Sequence, residues 1–582
     1  MISTPDNHPK YPRLPKTLDY PDDPLYKMLD KAVESHPDSM ALTLETGSFD
    51  KIGTMTYREL GEATDKFAGY LASKGIKPGD RVAVFLPNMI EFVVAYYGIL
   101  KAGAVVVSLN FQYPVPELEF QINETGTKGI VCGDMITPNA EPYETVKKVR
   151  DKGATTLEFV VVANVAQYLS KIKGFLAGVI GKKSKKDSRD IYMHEIYQNF
   201  KASDRPKIAP PKTEDTAVLM FTGGTTGSPK AAMLTHKNLY ANTLQSATWL
   251  DPPPKKGETV VMGSLPFYHS FGATTAQNLS INYSGNTILM MDPREGKFSK
   301  LLELIQNYKV QVFCSIPSLY AALINHPDIE NYDLSSLMVS VSGAAPMPVA
   351  TLNEYESTTG ANLAEGYGLT ETSPVACANP MIPWEEGGKP LKKAGSVGVP
   401  FPNTAVAILD LNDGQTVLAT DEEGEIALSG PQIMKGYFKK EEATAEVIRQ
   451  VEGKRFFLTG DIGKIDSDGY LWITDRKKDM IDVSGFKAYP REIEEVLIAY
   501  PAVSVAAVIG VPHPKVGETV KAFVVLKPGQ TATKEELIAH CKENLVKYKV
   551  PHFLEFRDTL PMTNVGKVLR RVLKDEEKAK EA

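Results

Sequence analysis

Short apolar runs alternate with longer stretches of helical length along the first third of the chain. Residues 81–86 and 104–109 are apolar runs of strand length, and residues 91–100 lie between them with the length of a helix. Strand, helix and strand at this spacing predict right-handed βαβ units and a parallel sheet. Further apolar runs at 129–132 and 157–163 indicate that the sheet continues.

The pattern changes in the later part of the chain. Residues 390–475 are rich in short strands and turns, and a charge cluster at 475–479 separates them from a compact C-terminal piece. We therefore predict an α/β fold with a large N-terminal domain, residues 1–475, made of parallel α/β sheets and a small β subdomain. A small α+β domain, residues 476–582, follows it. A chain of 582 residues is too long for one core, which agrees with this division.

The segment 165–186 combines apolar residues at helical spacing with many lysines. A basic amphipathic helix of this kind is typical of peripheral contact with an anionic membrane surface. The alternative is a surface helix that packs its apolar stripe on the domain and leaves its lysines solvated. The sequence leaves both open. The apolar positions are Val165, Leu169, Ile172, Leu176 and Val179, and the lysines are Lys171, Lys173, Lys182, Lys183, Lys185 and Lys186.

Composition and charge favour an ordinary globular enzyme, with 43% hydrophobic and 23% charged residues. A net charge of −6 argues against a nucleic-acid binder, which normally carries a basic domain. The first residues, 1–23, are polar and proline-rich, unlike a secretory signal. Four scattered cysteines without a CxxC pair fit a reducing compartment, and we expect a cytoplasmic protein. They are Cys132, Cys314, Cys377 and Cys541.

A Gly/Thr-rich loop after the apolar run 217–221 carries the first candidate chemistry. Its glycines let the backbone turn N–H groups inward, its hydroxyls add donors, and a lysine closes it, which predicts a phosphate site. It is not a Walker A loop, because Pro229 precedes the lysine and Ala231 follows it. A plain surface turn is the alternative for such a loop in isolation. The loop residues are Thr222, Gly223, Gly224, Thr225, Thr226, Gly227 and Lys230.

Taken in order, the motifs resemble the adenylate-forming superfamily, which comprises acyl-CoA synthetases, firefly luciferase and peptide-synthetase adenylation domains. The resemblance runs over nearly the whole chain, and within the superfamily it is nearest to bacterial long-chain fatty-acid CoA ligases. The lysine-rich insertion also looks like that group. The motifs are the phosphate loop, Tyr367 to Glu371, Gly424-Glu425 with Gly436-Tyr437, Thr459-Gly460-Asp461, and Asp475 to Lys478.

The resemblance implies activation of a fatty acid by ATP to acyl-AMP, followed by transfer to CoA, with a long-chain acid favoured. ATP and CoA are then co-substrates and Mg²⁺ is the cofactor. The alternatives are a CoA ligase for a medium-chain or aryl acid, and an acyl-AMP ligase that donates to a carrier protein. No motif in the sequence indicates the preferred length of the acyl chain. The oligomeric state also stays open, with a homodimer as one alternative.

On the nucleotide side, the resemblance implies that the loop 222–230 holds the β- and γ-phosphates. Thr370 then contacts the α-phosphate and Glu371 binds Mg²⁺, although an isolated acid there would be read as a helix N-terminal carboxylate. Asp461 would accept the ribose hydroxyls, with Arg476 assisting, and the Tyr367 ring would stack on the base. The implied adenine slot consists of Gly343, Ala344, Ala345, Glu365, Gly366 and Tyr367.

On the acyl side, His269, Phe271 and Gly272 lie where the family holds the acid. His269 either contacts the carboxylate or only packs, and the small residues after it either leave an alkyl tunnel or allow tight helix packing. The resemblance further implies a C-terminal domain that rotates about Lys478 between two poses. Lys567 would serve adenylation as the catalytic lysine in one pose, and Gly485 would serve the thioester step with CoA in the other.

Overall fold

The structure is a computed structural model that describes residues 2–46, 49–134, 140–153, 155–164, 186–222, 229–250, 255–290, 298–381, 391–483, 486–513, 517–562 and 568–581. Its strands are β1 (Met40–Thr46), β2 (Phe49–Thr56), β3 (Arg81–Phe85), β4 (Val105–Ser108), β5 (Gly129–Gly133), β6 (Phe159–Ala163), β7 (Ile191–Tyr192), β8 (Thr216–Thr222), β9 (Lys230–Thr235), β10 (Val260–Gly263), β11 (Asn286–Met290), β12 (Val312–Ser315), β13 (Val339–Ser342), β14 (Asn362–Gly368), β15 (Val375–Ala378), β16 (Val399–Pro400), β17 (Ala405–Leu409), β18 (Gly424–Ser429), β19 (Gly436–Tyr437), β20 (Ile448–Val451), β21 (Lys454–Ile465), β22 (Leu471–Arg476), β23 (Ile481–Val483), β24 (Phe486–Ala488), β25 (Val503–His513), β26 (Gly517–Leu526) and β27 (Phe553–Phe556).

Helices of seven residues or more separate many of these strands. They are Tyr26–Ser35, Tyr57–Ser73, Ile90–Lys101, Val115–Thr125, Pro142–Asp151, Met193–Asn199, His236–Thr248, Phe298–Tyr308, Pro317–Ile324, Val349–Thr359, Glu441–Val447, Pro490–Ile498, Lys534–Asn544 and Arg570–Glu581. A further helical stretch, called the central helix below, covers residues 270–282. It consists of an α-turn at Ser270–Gly272, a π-helical segment at Ala273–Asn278 and a last turn at Leu279–Asn282.

Two large sheets dominate the N-terminal part. One has the strand order β16-β15-β14-β13-β12-β10-β11-β1-β2, and the other has the order β19-β9-β8-β4-β3-β5-β6-β7. The pairs from β14 to β1 in the first sheet and from β8 to β7 in the second are parallel. The remaining outer strands pair antiparallel. The predicted parallel α/β sheets are therefore confirmed.

The alternation of side chains along β3 shows how the layers are built. Val82 and Val84 lie in a large core that also receives residues of the other sheet. Ala83 and Phe85 point to the opposite face, into a separate cluster covered by outer helices. The helix Ile90–Lys101 is buried along its whole length, because it lies in the core shared by the two sheets.

Two smaller sheets complete the chain. The first has the order β17-β18-β21-β20, with β22 on β21, and corresponds to the predicted small β subdomain. The second has the order β24-β23-β26-β25, with β27 on β26, and forms the separate C-terminal domain. The boundary at 475/476 stays a prediction. Contacts cross it: Asp475 Oδ2 accepts a hydrogen bond of 2.8 Å from the Arg491 backbone N–H.

The lysine-rich segment lies outside the described residues except at its end. Lys186 Nζ donates to the Asp190 backbone oxygen at 2.9 Å and lies 3.3 Å from Glu195 Oε2. Among the helices that the structure describes, none has the length and apolar character needed to cross a membrane.

Candidate active site

The phosphate loop joins two antiparallel strands. Thr222 at the end of β8 pairs with Lys230 at the start of β9, and Thr222 Oγ1 donates to the Lys230 backbone oxygen at 3.3 Å. This hairpin holds both ends of the loop at the edge of the parallel region. The predicted loop residues Gly223, Gly224, Thr225, Thr226 and Gly227 lie outside the described residues.

Tyr437 joins this loop to the predicted metal ligand. The short strand β19 pairs with β9, so that Tyr437 lies beside Ala232. The Tyr437 hydroxyl donates to Glu371 Oε1 at 2.8 Å, and Lys230 Nζ lies 5.2 Å from the centroid of the Tyr437 ring. Tyr437 was not assigned a role from the sequence, although the Gly436-Tyr437 motif to which it belongs was the available signal.

Glu371 is a buried carboxylate at a strand end. It lies in the turn Thr370–Thr372 just after β14, with 8% of its surface exposed, and its backbone oxygen accepts from Met434 N at 2.8 Å. Burial raises the pKa of Glu371, while the hydrogen bond from Tyr437 acts in the opposite direction. The Glu371 carboxylate is therefore buried and hydrogen-bonded to Tyr437.

The predicted adenine residues lie at the ends of the adjacent strands β13 and β14. Gly343 and Ala344 follow β13, and Ala344 has a left-handed backbone with φ of +67°. On β14, Glu365 accepts a hydrogen bond of 3.1 Å from Met347 N, and burial raises its pKa to about 7. The remaining predicted members of this set are Ala345, Gly366 and Tyr367, and Gly366 and Tyr367 belong to β14.

Three predicted nucleotide residues meet in one polar cluster. Tyr367 OH donates to Asp461 Oδ2 at 2.7 Å, and Arg476 Nε lies 3.1 Å from Asp461 Oδ1. Asp461 on β21 pairs directly with Arg476 on β22, and this register brings the arginine to the Asp461 carboxylate. Asp461 is 5% exposed and forms an ion pair with this arginine.

The acyl-side residues surround the start of the central helix. His269 Nδ1 is buried and has no hydrogen-bond partner among the described residues, and burial lowers the pKa of His269 to about 4. A Cβ placed on Gly343 would lie 3.1 Å from the Phe271 ring, so Phe271 touches the predicted adenine turn. A Cβ on Gly272 would lie 2.4 Å from the Pro266 oxygen, which shows tight helix packing at that glycine.

The predicted C-terminal residues are only partly within the structure. Lys567 and Gly485 lie outside the described residues, and the exposed Lys478 lies in the turn after β22. That turn is held on both sides. Lys477 Nζ contacts Glu425 Oε2 at 2.9 Å, and Arg570 Nη1 contacts Asp479 Oδ2 at 3.2 Å.

Comparison with known proteins identifies the family. The profile of the AMP-binding enzyme family matches residues 29–438, and that of the AMP-binding enzyme C-terminal domain matches residues 492–567. The chain is 39% identical over 576 residues to a long-chain-fatty-acid–CoA ligase of Bacillus subtilis, covering 98% of this chain and 97% of the relative. It is 37% identical over 559 residues to the Escherichia coli O157:H7 long-chain-fatty-acid–CoA ligase, with 94% and 95% covered.

A solved structure agrees over the same length. The crystal structure of ATP-bound MatB from Rhodopseudomonas palustris superimposes with a TM-score of 0.79 at 28% identity, covering 97% of this chain and 100% of that one. The sequence resemblance to adenylate-forming enzymes is confirmed, and the chain belongs to the AMP-binding enzyme family.

Proposed function

We propose that this protein is an AMP-forming acyl-CoA ligase that activates fatty acids, with long-chain acids favoured. One observation carries the proposal. The Tyr437 hydroxyl bonds the buried Glu371 carboxylate and the Tyr437 ring lies beside Lys230, while Tyr367 of the adjoining strand β14 contacts the Asp461–Arg476 ion pair. The names of the relatives at 39% and 37% identity support the fatty-acid assignment. The ATP-bound neighbour supports the nucleotide.

The reaction needs no nucleophile from the protein. A carboxylate oxygen of the acid attacks the α-phosphorus of ATP and pyrophosphate leaves, which gives acyl-AMP. The sulfur of CoA then attacks the acyl carbonyl, loses its proton, and AMP leaves with the carboxylate oxygen. Both steps therefore depend on positioning and charge neutralisation rather than on a catalytic serine or cysteine.

We assign the nucleotide roles to residues that line the strand ends. Thr222 and Lys230, with the loop between them, bind the outer phosphates, and Thr370 contacts the α-phosphate. Asp461 accepts the ribose hydroxyls, a role supported by its burial and by its ion pair with Arg476. The adenine slot is formed by Gly343, Ala344, Ala345, Glu365, Gly366 and Tyr367, and the acyl carboxylate lies near His269, Phe271 and Gly272.

Glu371 fits the single protein ligand of a Mg²⁺ ion. A hard cation of this size is usually held by one or two carboxylates together with substrate phosphates, rather than by a cage of protein ligands. Within the described ranges, no group of three or more histidine, cysteine, aspartate or glutamate side chains is placed to hold a metal. Bound there, Mg²⁺ would neutralise phosphate charge.

Two further assignments concern the C-terminal domain and the membrane. We propose that residues 476–582 rotate about Lys478, so that Lys567 serves adenylation and Gly485 serves the CoA step. We also propose that the segment 165–186 contacts an anionic membrane surface from the cytoplasmic side. A homodimer is compatible with these roles, and none of them requires one.

The ligase is tested with ATP, Mg²⁺, CoA and a panel of acids from acetate to oleate. We expect CoA-dependent release of AMP, with the highest kcat/KM for long acids. Glu371→Gln should reduce turnover by roughly 10²-fold, since it removes a charge that acts in the transition state. Glu330→Gln, at an exposed remote position, is the control. AMP release without CoA dependence would instead indicate another acyl acceptor.

The membrane contact is tested by replacing Lys171, Lys173, Lys182, Lys183 and Lys185 with glutamine. Lys186 is kept because it is already bound to Asp190 and Glu195. Each lysine near an anionic surface is worth about 1 kcal/mol, so binding to vesicles that contain phosphatidylserine should fall at least tenfold. Turnover of a short water-soluble acid should stay unchanged. If the variant and the parent protein bind the vesicles equally well, the alternative of a packed surface helix is preferred.

A further inference from the structure

Arg570 joins three parts of the C-terminal domain. It is the first residue of the helix Arg570–Glu581, and its guanidinium forms a fork with Glu494, with Nε 3.2 Å from Oε1 and Nη2 2.6 Å from Oε2. The third nitrogen, Nη1, lies 3.2 Å from Asp479 Oδ2. A guanidinium that pairs with a carboxylate through two nitrogens is fixed in direction as well as in distance. The start of this helix is therefore held in one orientation.

The cluster of Arg570, Glu494 and Asp479 is largely buried. Their side chains are 17%, 13% and 11% exposed. Glu494 Oε1 also accepts a hydrogen bond of 2.7 Å from the Val508 backbone N–H on β25. Exposed ion pairs contribute little to a fold, whereas the loss of one partner from a buried pair is costly. The cluster therefore fixes the start of the helix Arg570–Glu581 to the rest of its domain.

This cluster lies next in sequence to the two residues to which we assign the hinge and the catalytic amine. Asp479 directly follows Lys478, and Lys567 lies three positions before Arg570. Three residues span at most about 11 Å, so the backbone of Lys567 lies no farther than this from the backbone of Arg570. The contact of Arg570 with Asp479 therefore joins the hinge turn to the segment that carries the lysine.

The chain is held on both sides of residues 563–567, which themselves lie outside the described residues. Met562 and Val568 pair as an antiparallel bridge, and the Leu569 N–H donates to the Pro561 backbone oxygen at 2.8 Å. The helix that starts with the guanidinium fork follows directly. The two ends of this segment are thus paired with each other, and the fork sets their orientation relative to the hinge turn.

We propose that Arg570 is a positioning residue for adenylation. Through Glu494 and Asp479 it fixes the segment of Lys567 relative to the hinge, so that rotation about Lys478 brings the lysine to the reacting phosphate. The proposal rests on the acyl-CoA ligase function and on the role proposed for Lys567. All three members of the cluster lie beyond the hinge, so their contacts turn with the domain and are kept in both poses.

Acyl-AMP formation measures this positioning. Arg570→Met is combined with Glu494→Gln, so that the fork is removed and no unpaired carboxylate stays buried. We expect acyl-AMP formation to slow by roughly tenfold or more, because a small misplacement of a reacting group is costly. The KM values for ATP and the acid, and the rate of CoA attack on supplied acyl-AMP, should stay unchanged. Arg570→Lys keeps the charge and should recover part of the loss. An unchanged rate of acyl-AMP formation without the fork would overturn the inference.

Arg557→Met is the matched control, because Arg557 ties the same helix to the chain at the end of β27. Its Nη2 lies 2.9 Å from Glu576 Oε2, and its Nε lies 2.5 Å from Glu555 Oε1. Acyl-AMP formation by this variant should stay close to that of the parent protein, and melting temperatures show how far each variant is destabilised. Equal slowing by the control and by the fork variant would show that Arg570 only stabilises the domain, and would overturn the inference.

A double-mutant cycle shows whether Arg570 acts through Lys567. In a Lys567→Ala background, removal of the fork should slow acyl-AMP formation no further, because the group that it positions is absent. Slowing by the same factor with and without Lys567 would overturn the inference alone. If Lys567→Ala forms acyl-AMP at the parent rate, the role of the lysine fails and the inference fails with it, while CoA-dependent AMP release still identifies a ligase. Failure of the parent protein to release AMP with any acid would overturn the ligase function itself.

Discussion

Two opposing effects act on the charge of Glu371. Burial raises the pKa of its carboxyl group, and the hydrogen bond from Tyr437 stabilises the ionised form. In the role that we propose, Glu371 must be ionised to bind Mg²⁺, so this hydroxyl should help to sustain activity at low pH. Burial also raises the pKa of Tyr437, which keeps it protonated and able to donate.

Tyr437→Phe removes the donor and keeps the ring beside Lys230. The pKa of Glu371 should rise further, so the acidic limb of the pH profile of kcat/KM moves to higher pH. A hydrogen bond to a charged group contributes about 1.5–3 kcal/mol, which predicts a loss of roughly tenfold in mildly acidic buffer and a much smaller loss in alkaline buffer. Tyr332→Phe is the control. A loss that is equal at all pH values would contradict this account.

Apart from Tyr437, the candidate site residues were named from the sequence, but their contacts could not be predicted from it. The motif containing Asp461 and the motif containing Arg476 were both recognised, but their direct pairing follows from the register of β21 and β22. Likewise, Tyr367 was assigned a stacking role from its motif, and its hydroxyl contact with Asp461 depends on a residue 94 positions away. Contacts between distant residues are set by tertiary packing, which local patterns do not encode.

At the scale of elements, buried parallel strands were easier to predict than edge strands. The runs at 81–86 and 104–109 became β3 and β4 with ends shifted by one residue, because continuous apolar runs mark strands buried on both faces. The two-residue strand β19 has no such run, yet it brings Tyr437 to the site by pairing with β9. The π-helical segment of the central helix was not predicted either, since its residues are polar and small.

For Gly272, at the start of the central helix, the sequence left two interpretations open: space for an alkyl tunnel, or tight helix packing. The nearest atoms to an added Cβ are backbone oxygens, 2.4 Å away at Pro266 and 2.7 Å away at Leu265, which cannot move without shifting the chain. Gly272→Ala should therefore lower the free energy of unfolding by about 1–3 kcal/mol, as overpacking does in cores. Urea unfolding followed by circular dichroism measures this.

Gly366→Ala is a matched control for that change. Its nearest heavy atom would be Val341 Cγ1 at 3.5 Å, an ordinary contact distance, so its stability should stay close to that of the parent protein. Equal stability of Gly272→Ala and the parent would show that the helix start has room for a methyl group, and the alkyl-tunnel interpretation of Gly272 would then be preferred.

At the scale of the whole molecule, the C-terminal domain meets the rest of the chain at a charged turn. Asp475 binds the backbone of Arg491, and Lys477 binds Glu425 of the β subdomain. Lys478 lies between Lys477 and Asp479, which contacts Arg570 at 3.2 Å, and is exposed. Hinges are often a few residues at the ends of elements that absorb a backbone change, and this position matches that description.

The two half-reactions separate the roles that we propose for the hinge and for the catalytic lysine. Lys567→Ala should slow acyl-AMP formation by at least about 10²-fold, since a positioned charge is lost, and should spare the attack of CoA on supplied acyl-AMP. Lys478→Pro should do the reverse, because proline fixes φ and hinders the rotation that thioester formation requires.

Lys477→Pro is unsuitable as a control, since the Lys477 N–H donates to the Gly460 oxygen at 2.9 Å. Lys478→Ala keeps the backbone free and should affect neither step strongly. Single-turnover measurements of both steps decide the question: if Lys478→Pro and Lys567→Ala slow the two steps by the same factor, the C-terminal domain does not alternate between two poses.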